Sequence, residues 1–312
     1  MELKPSQNRH LYGMNNFFNE IINLYIEKKM PPKIMLSGKK GLGKSTLAYH
    51  VINFILSSNE EFKYNSKKFI INENNKSFKL LQNNTHPNFY LIDLLNDKKN
   101  IDVAQIREMI TYTNKSTFNN MARFVLIDNI ENLNKNSVNA LLKITEEPNE
   151  NVFFILINNS EKNILPTLKS RCLLFNINFT FNQSMSVSNE ILDSNIFDLI
   201  NSDLISYYNT PGEIVNLINF SKDKSINLKD YTLIQFLNLL IDNNYYKKNK
   251  NVKVLLINFI ELFFLKAYKL SETKNSLLTF YHNFITKINY TEKFNLDEES
   301  LFLEFKSKLL NG

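Results

Sequence analysis

Gly38-Lys39-Lys40-Gly41-Leu42-Gly43-Lys44-Ser45-Thr46 is the stretch on which the reading of this chain turns. It satisfies G-x-x-x-x-G-K-[ST] at every fixed position. Just before it, Ile34-Met35-Leu36-Ser37 is a short apolar run that reads as a buried strand. Just after it, Thr46 to Ile55 carries apolar residues at helical spacing. Strand, glycine loop and helix are the setting in which such a loop cradles phosphate. Gly38, Gly41 and Gly43 let backbone N–H groups curl around phosphate oxygens without Cβ clashes. The helix N-terminus adds its partial positive charge. Lys44 is expected to reach the β and γ phosphates and the Ser45 hydroxyl to ligate Mg²⁺, with Thr46 beside them in the nucleotide site. The chain has six glycines in 312 residues, and three of them fall here, so the cluster stands out from the background.

A phosphate loop of this kind needs an acidic residue at the end of a neighbouring strand. Arg123-Phe124-Val125-Leu126-Ile127-Asp128 supplies an apolar run ending in Asp, and Asp128 is expected to hold Mg²⁺ through water. The next residue is Asn129, whose amide orients a water but cannot accept its proton.

Further segments carry a family resemblance. Asn139-Ala140-Leu141-Leu142-Lys143 followed by Glu146-Glu147-Pro148 resembles the N-A-L-L-K-x-x-E-E-P of the AAA+ clamp-loader subunits of bacterial DNA polymerase III. Leu165-Pro166-Thr167-Leu168-Lys169-Ser170-Arg171-Cys172 is similar to that family's L-P-T-x-x-S-R-C. Gly13, Met30-Pro31-Pro32, Thr85-His86-Pro87-Asn88 and Ile101 to Arg107 fit the same pattern, which covers residues 1 to about 180. The resemblance implies an α/β AAA+ fold: a RecA-like parallel sheet with a P-loop, a small helical lid and an all-α collar. It places the domains at 1–178, 179–226 and 227–312. It also implies ATP and Mg²⁺ as ligands and a sensor 1 role for Asn159. Arg171 becomes an arginine finger offered in trans to a neighbour's ATP.

Within that family the features favour the stator-like delta prime branch. Asn129 stands where the motor subunits carry a catalytic Glu, so hydrolysis at this chain's own site is expected to be weak or absent. Tyr208-Asn209-Thr210-Pro211-Gly212-Glu213 resembles the delta prime lid pattern, and 312 residues leave no room for tau's long extension. The implied partners are the gamma/tau motor and delta subunits, the sliding clamp, and primed DNA contacted through its backbone. Two departures are plain. Glu213 replaces a basic sensor 2, and the family's cysteine-liganded zinc insert cannot be built, since Cys172 is the only cysteine. Residues 59–84 read instead as a small polar insert without metal. The alternatives are a gamma/tau-like motor that hydrolyses its own ATP and, from another class, a P-loop kinase of a small molecule. The kinase reading suffers from the lack of any arginine after Arg171.

Composition fits this frame. Hydrophobic residues make up 43% and charged residues 22%, ordinary values for a globular protein. The 50 asparagines are compositional drift rather than a recognition element. No export signal or membrane span is read, and a cytoplasmic, nucleoid-associated protein is expected. Residues 1–178 carry 23 Lys and Arg against 16 Asp and Glu, the rest 14 against 15, so the basic excess lies in the first domain. That is enough for weak contact with DNA phosphates, and no base-reading motif accompanies it. Helices are expected at 189–200, 211–220, 230–245, 251–270, 273–289 and 297–310.

Overall fold

The structure is a computed structural model. It describes all residues except 1–3, 96–97, 116–120, 147–150, 161, 271–273, 295 and 311–312. Glu147 and Pro148 of the N-A-L-L-K-x-x-E-E-P segment therefore lie outside the described residues. The chain divides into two compact units. The first comprises residues 1–191 with 210–212, the second residues 192–209 with 213–312.

The first unit is built on five parallel strands: β1 (Lys33–Ser37), β2 (Phe89–Ile92), β3 (Arg123–Ile127), β4 (Val152–Asn158) and β5 (Leu173–Asn176), in the order β2-β3-β4-β1-β5. Its helices are α1 (Asn15–Ile26), α2 (Lys44–Leu56), α3 (Lys76–Gln82), α4 (Val103–Thr113), α5 (Lys135–Glu146), α6 (Pro166–Lys169) and α7 (Phe181–Leu192). Side chains of the central strands alternate between the two faces, as the two-residue strand period requires. Ile34, Leu36, Phe124, Leu126, Ile155 and Ile157 join a core with α1 and α2. Met35, Val125, Ile127, Phe154 and Leu156 join a second core with α4 and α5. A sheet covered on both faces explains why these strands read as unbroken apolar runs. α2 is buried nearly all round, which accounts for its weakly amphipathic sequence.

Arg123 is buried at the start of β3. Its guanidinium donates to the carbonyls of Tyr112, Thr113 and Lys115 and lies 4.7 Å from the Tyr112 ring centroid. It thus caps the C-terminus of α4, an end that always leaves carbonyls without helical partners.

Residues 59–84 fold without a metal cluster among the described residues. Polar side chains hold the insert. Glu60 accepts from the backbone N–H groups of Lys76 and Ser77 at the start of α3, and Asn75 ties Asn53, Phe62 and Phe78 together. Arg9 reaches the carbonyl of Ile71 and the carboxylate of Glu73. Asparagines that look like drift in composition are structural here.

One expected helix, 189–200, is corrected. α7 starts at Phe181, because Thr180 and Gln183 make reciprocal capping hydrogen bonds. The chain then turns at Asp193, with φ 49°, before a new helix capped by Asn195. The Thr-x-x-Gln signal outweighs the loop-like Ser and Asn composition that follows it.

The second unit is all helical: α8 (Ile196–Leu199), α9 (Pro211–Asp223), α10 (Leu233–Asp242), α11 (Tyr245–Lys248), α12 (Lys250–Leu270), α13 (Lys274–Phe294) and α14 (Glu299–Phe305), followed by a π-helical turn over 306–310. α9 begins on the last residues of the first unit. Phe236, Leu240, Leu256, Ile260, Phe284, Phe302 and Phe305 fill its core. Lys253–Glu298 and Lys306–Asp242 ion pairs fasten the C-terminal helix to α12 and α10. No described helix is long and apolar enough to cross a membrane.

Candidate functional site

The carboxyl ends of β1, β3 and β4 open on one edge of the sheet, where an open α/β sheet offers its binding crevice. β1 ends at Ser37 and the glycine loop leads directly into α2. Gly41 and Gly43 take φ values of 85° and 90°, which only glycine adopts without strain. Gly43 is the residue before the first turn of α2, so that helix directs its unpaired N–H groups into the loop. Gly38 packs on the Ile177 carbonyl, and a Cβ there would lie 2.1 Å from it.

Lys44 is buried, and its Nζ donates to the carbonyl of Lys39 at 2.8 Å, across the mouth of the loop. The Ser45 hydroxyl donates to Oδ2 of Asp128 at 2.5 Å, while Thr46 follows on the same turn, half-buried. Ser45 and Asp128 thus converge as the sequence implies. An oxygen-only pair of this kind suits a hard divalent cation such as Mg²⁺. Burial raises the pKa of Asp128, and Asp93 nearby adds to the rise. The hydrogen bonds from the Ser45 hydroxyl and the Asn129 backbone N–H, with the Lys44 charge, oppose it.

Asn129 has a left-handed backbone, φ 56° and ψ 46°. Its Nδ2 donates to Oδ1 of Asp93 at 2.7 Å, and its Oδ1 accepts from Nδ2 of Asn159 at 2.9 Å. Both ends of the amide are engaged. Asn159 is buried one residue past β4, and its backbone N–H donates to Oε2 of Glu131 at 3.2 Å. The structure therefore joins Asp128, Asn129 and Asn159 and adds two carboxylates that the motif reading passed over, Asp93 and Glu131. Asp93 ends an apolar strand as Asp128 does, and that repetition is a signal the sequence contains. Glu131 carries no sequence signal: it arrives through the 3-10 turn Ile130–Asn132.

Thr210, Pro211 and Gly212 close over the loop. The Gly212 N–H donates to the Gly41 carbonyl at 2.9 Å. A Cβ on Gly212 would lie 2.7 Å from the Gly41 Cα. Glu213, next in the chain, instead accepts from Asn209 and Asn258 in the second unit, each at 3.4 Å.

Arg171 is exposed and its guanidinium donates to the Thr167 carbonyl at 3.0 Å. The structure does not bring it to the glycine loop. Leu173 pairs with Ile34 and Asn176 with Ser37, so Arg171 precedes edge strand β5 at the amino ends of the strands. The loop follows the carboxyl end of β1. At ~3.3 Å per residue the two levels lie roughly 20 Å apart along the strands. Exposed Leu165 and Leu173 flank the arginine. Cys172 is half-buried behind it, its thiol donating to the Leu168 carbonyl, and burial pushes the thiol up to about 11. It therefore stays protonated and is not a nucleophile.

The sequence profile of the family described as DNA polymerase III, delta subunit matches residues 13–180. The DNA polymerase III subunit delta' of Buchnera aphidicola subsp. Schizaphis graminum is 28% identical over 265 residues, which are 81% of this chain and 78% of that protein. The DNA polymerase III subunit gamma of the same organism is 32% identical over 180 residues, 56% of this chain and 46% of that protein. Among solved structures, a gamma subunit-related protein of Thermotoga maritima aligns over 83% of this chain and 75% of its own. Its identity is 18% and its TM-score 0.39.

Proposed function

The chain belongs to the DNA polymerase III delta subunit family as a delta prime-like clamp-loader subunit, and we propose that it acts there chiefly on a neighbour's nucleotide rather than on its own. The observation that carries this reading is the position of Arg171. It is exposed, lies between exposed Leu165 and Leu173 in sequence, and is set at the end of the strands opposite its own glycine loop. An arginine so placed serves a second molecule's phosphates. Such a finger offsets charge that builds on the transferring phosphoryl group and is worth roughly 10³–10⁵ in rate. The neighbour is a gamma/tau motor subunit, with delta, the sliding clamp and primed DNA completing the assembly in the cytoplasm. The basic excess of residues 1–178 gives that domain weak, salt-sensitive contact with the DNA backbone.

In this reading the domains are a nucleotide-binding domain over 1–178, a lid over 179–226 and a collar over 227–312. Exposed Tyr290 and Phe294, which stack on one another on α13, supply the collar with an apolar contact. Gly38, Gly41, Gly43, Lys44, Ser45 and Thr46 hold ATP, and Ser45 and Asp128 hold its Mg²⁺. Turnover at this site is slow, because Asn129 cannot take a proton and both ends of its amide are engaged. That same observation disfavours the motor-type alternative.

The test is ATP hydrolysis by a complex reconstituted from this chain, the motor and delta subunits, clamp and primed DNA. Arg171→Ala is expected to lower the rate tenfold or more while the complex still assembles. An unchanged rate, or no assembly with those partners, removes the stator reading.

A further inference from the structure

Glu131 is 8% exposed, and its two carboxylate oxygens have different fates. Oε2 accepts from the backbone N–H of Asn159 at 3.2 Å. Oε1 is buried and has no hydrogen-bond partner. A resting fold seldom keeps a buried carboxylate oxygen without a donor unless a ligand or water completes it. The residue lies on the turn after Asp128, at the carboxyl end of the sheet, and it grips the residue that follows β4. That is the same edge to which Lys44, Ser45 and Asp128 belong. Asn129, between Asp128 and this turn, is committed to Asp93 and Asn159.

We propose that Glu131 is the proton-accepting carboxylate of this chain's own nucleotide site, in place of the acid absent at position 129. The inference rests on the reading of the glycine loop as an ATP site. In the step assigned to it, the oxygen of a water bonds to the terminal phosphorus. The bond from that phosphorus to the bridging oxygen breaks, and ADP leaves with the electron pair. The proton of the water passes to Oε1 of Glu131 and from there to solvent. Oε2, fixed by the Asn159 N–H, sets the direction of the free oxygen. The carboxylate enters from a turn two residues beyond the position a motor subunit uses, so turnover is slow.

The experiment uses the full chain with Mg²⁺ and ATP in single-turnover format. It adds two binding measurements, for ATP and for ADP with aluminium fluoride, which mimics the phosphoryl group in flight with its attacking water. Glu131→Gln is expected to keep ATP affinity within threefold. It is expected to lose tenfold or more both in the hydrolysis rate and in affinity for the fluoride complex. Glu131→Asp keeps the charge but withdraws the oxygen by one methylene. It is expected to show the same two losses, and it serves if the Gln variant fails to fold. An unchanged rate and fluoride-complex affinity in the variants overturns the proposal. So does a wild-type chain that binds ATP yet neither hydrolyses it nor binds the fluoride complex, and in that case the nucleotide reading stands. A chain that binds no ATP overturns both.

Discussion

The Ser45 hydroxyl and the Asp128 carboxylate hold each other at 2.5 Å, so the two groups suited to a magnesium ion already converge on one point. Ser45→Ala breaks this pairing and leaves Asp128, whose pKa burial already raises, without its closest donor. The expected outcome is a loss of tenfold or more in the Mg²⁺-dependent part of ATP affinity. Titration of a fluorescent ATP analogue with Mg²⁺ and with EDTA measures it. Equal Mg²⁺ dependence in wild type and variant contradicts the assignment.

Restoring the acid of a motor subunit does not restore a motor. Asn129→Glu puts a second carboxylate where Asn129 now donates to Asp93 at 2.7 Å, so Asp93 loses that donor, while a carboxylate still accepts from the Asn159 amide. Like charges at that distance and a lost buried hydrogen bond destabilise the fold by about 2 kcal/mol. Urea denaturation is expected to show that drop, and ATP hydrolysis is expected to stay within threefold of wild type. A tenfold rise in turnover contradicts the account.

The glycines of the loop are not equivalent. Gly41→Ala combines a left-handed backbone with a Cβ 2.3 Å from the Thr210 hydroxyl oxygen, whereas Gly43→Ala meets nothing nearer than 3.9 Å. Gly41→Ala is expected to cost about 3 kcal/mol of stability and Gly43→Ala about 1 kcal/mol. Thermal denaturation of the two variants side by side reads the difference. Equal losses are evidence against the packing of Thr210–Gly212 on the loop.

How much of this was legible in the sequence depends on whether a signal is local. Ile34 to Ser45 and Phe124 to Asp128 spell out strand, loop and acid in consecutive letters, and the structure places them so. The Asn129–Asn159 bond joins residues thirty apart in sequence, and the Asp93–Asn129 bond joins residues thirty-six apart. No spacing rule links such pairs, so Asn159 could be placed only by resemblance. Glu131 was missed because it belongs to no motif and matters only through where a 3-10 turn points it. For the helix expected at 189–200 the error had a different cause. Thr180 and Gln183 carried a readable capping signal, and the Ser/Asn composition around them masked it.

His50 makes the fold acid-sensitive. It is fully buried, with Nδ1 2.9 Å from the Tyr64 hydroxyl and Nε2 3.1 Å from the Asn8 carbonyl. Burial lowers its pKa to about 4, with the Asn8 hydrogen bond opposing and His10 adding to the fall. In the unfolded chain it returns to about 6.5. The unfolded state therefore binds the proton first as pH falls. Stability is full above about 6.5 and declines toward pH 4, by about 3 kcal/mol in total. His86, also lowered by burial, acts in the same direction. Urea denaturation at stepped pH is expected to show this limb, and His50→Gln is expected to flatten it. A stability profile level between pH 7 and pH 5 contradicts the burial argument.

The separation of Arg171 from its own glycine loop, across the length of the sheet, makes the molecule polar in the sense that a magnet is. If Arg171 serves a neighbour as proposed, one edge gives and the other receives. Units joined on that principle stack head to tail and never face to face, so a row of them has a direction. An open row of n units holds n − 1 completed junctions, and the unit at one end keeps a nucleotide site that no arginine enters. A slow, self-sufficient site is the kind that such an end position tolerates.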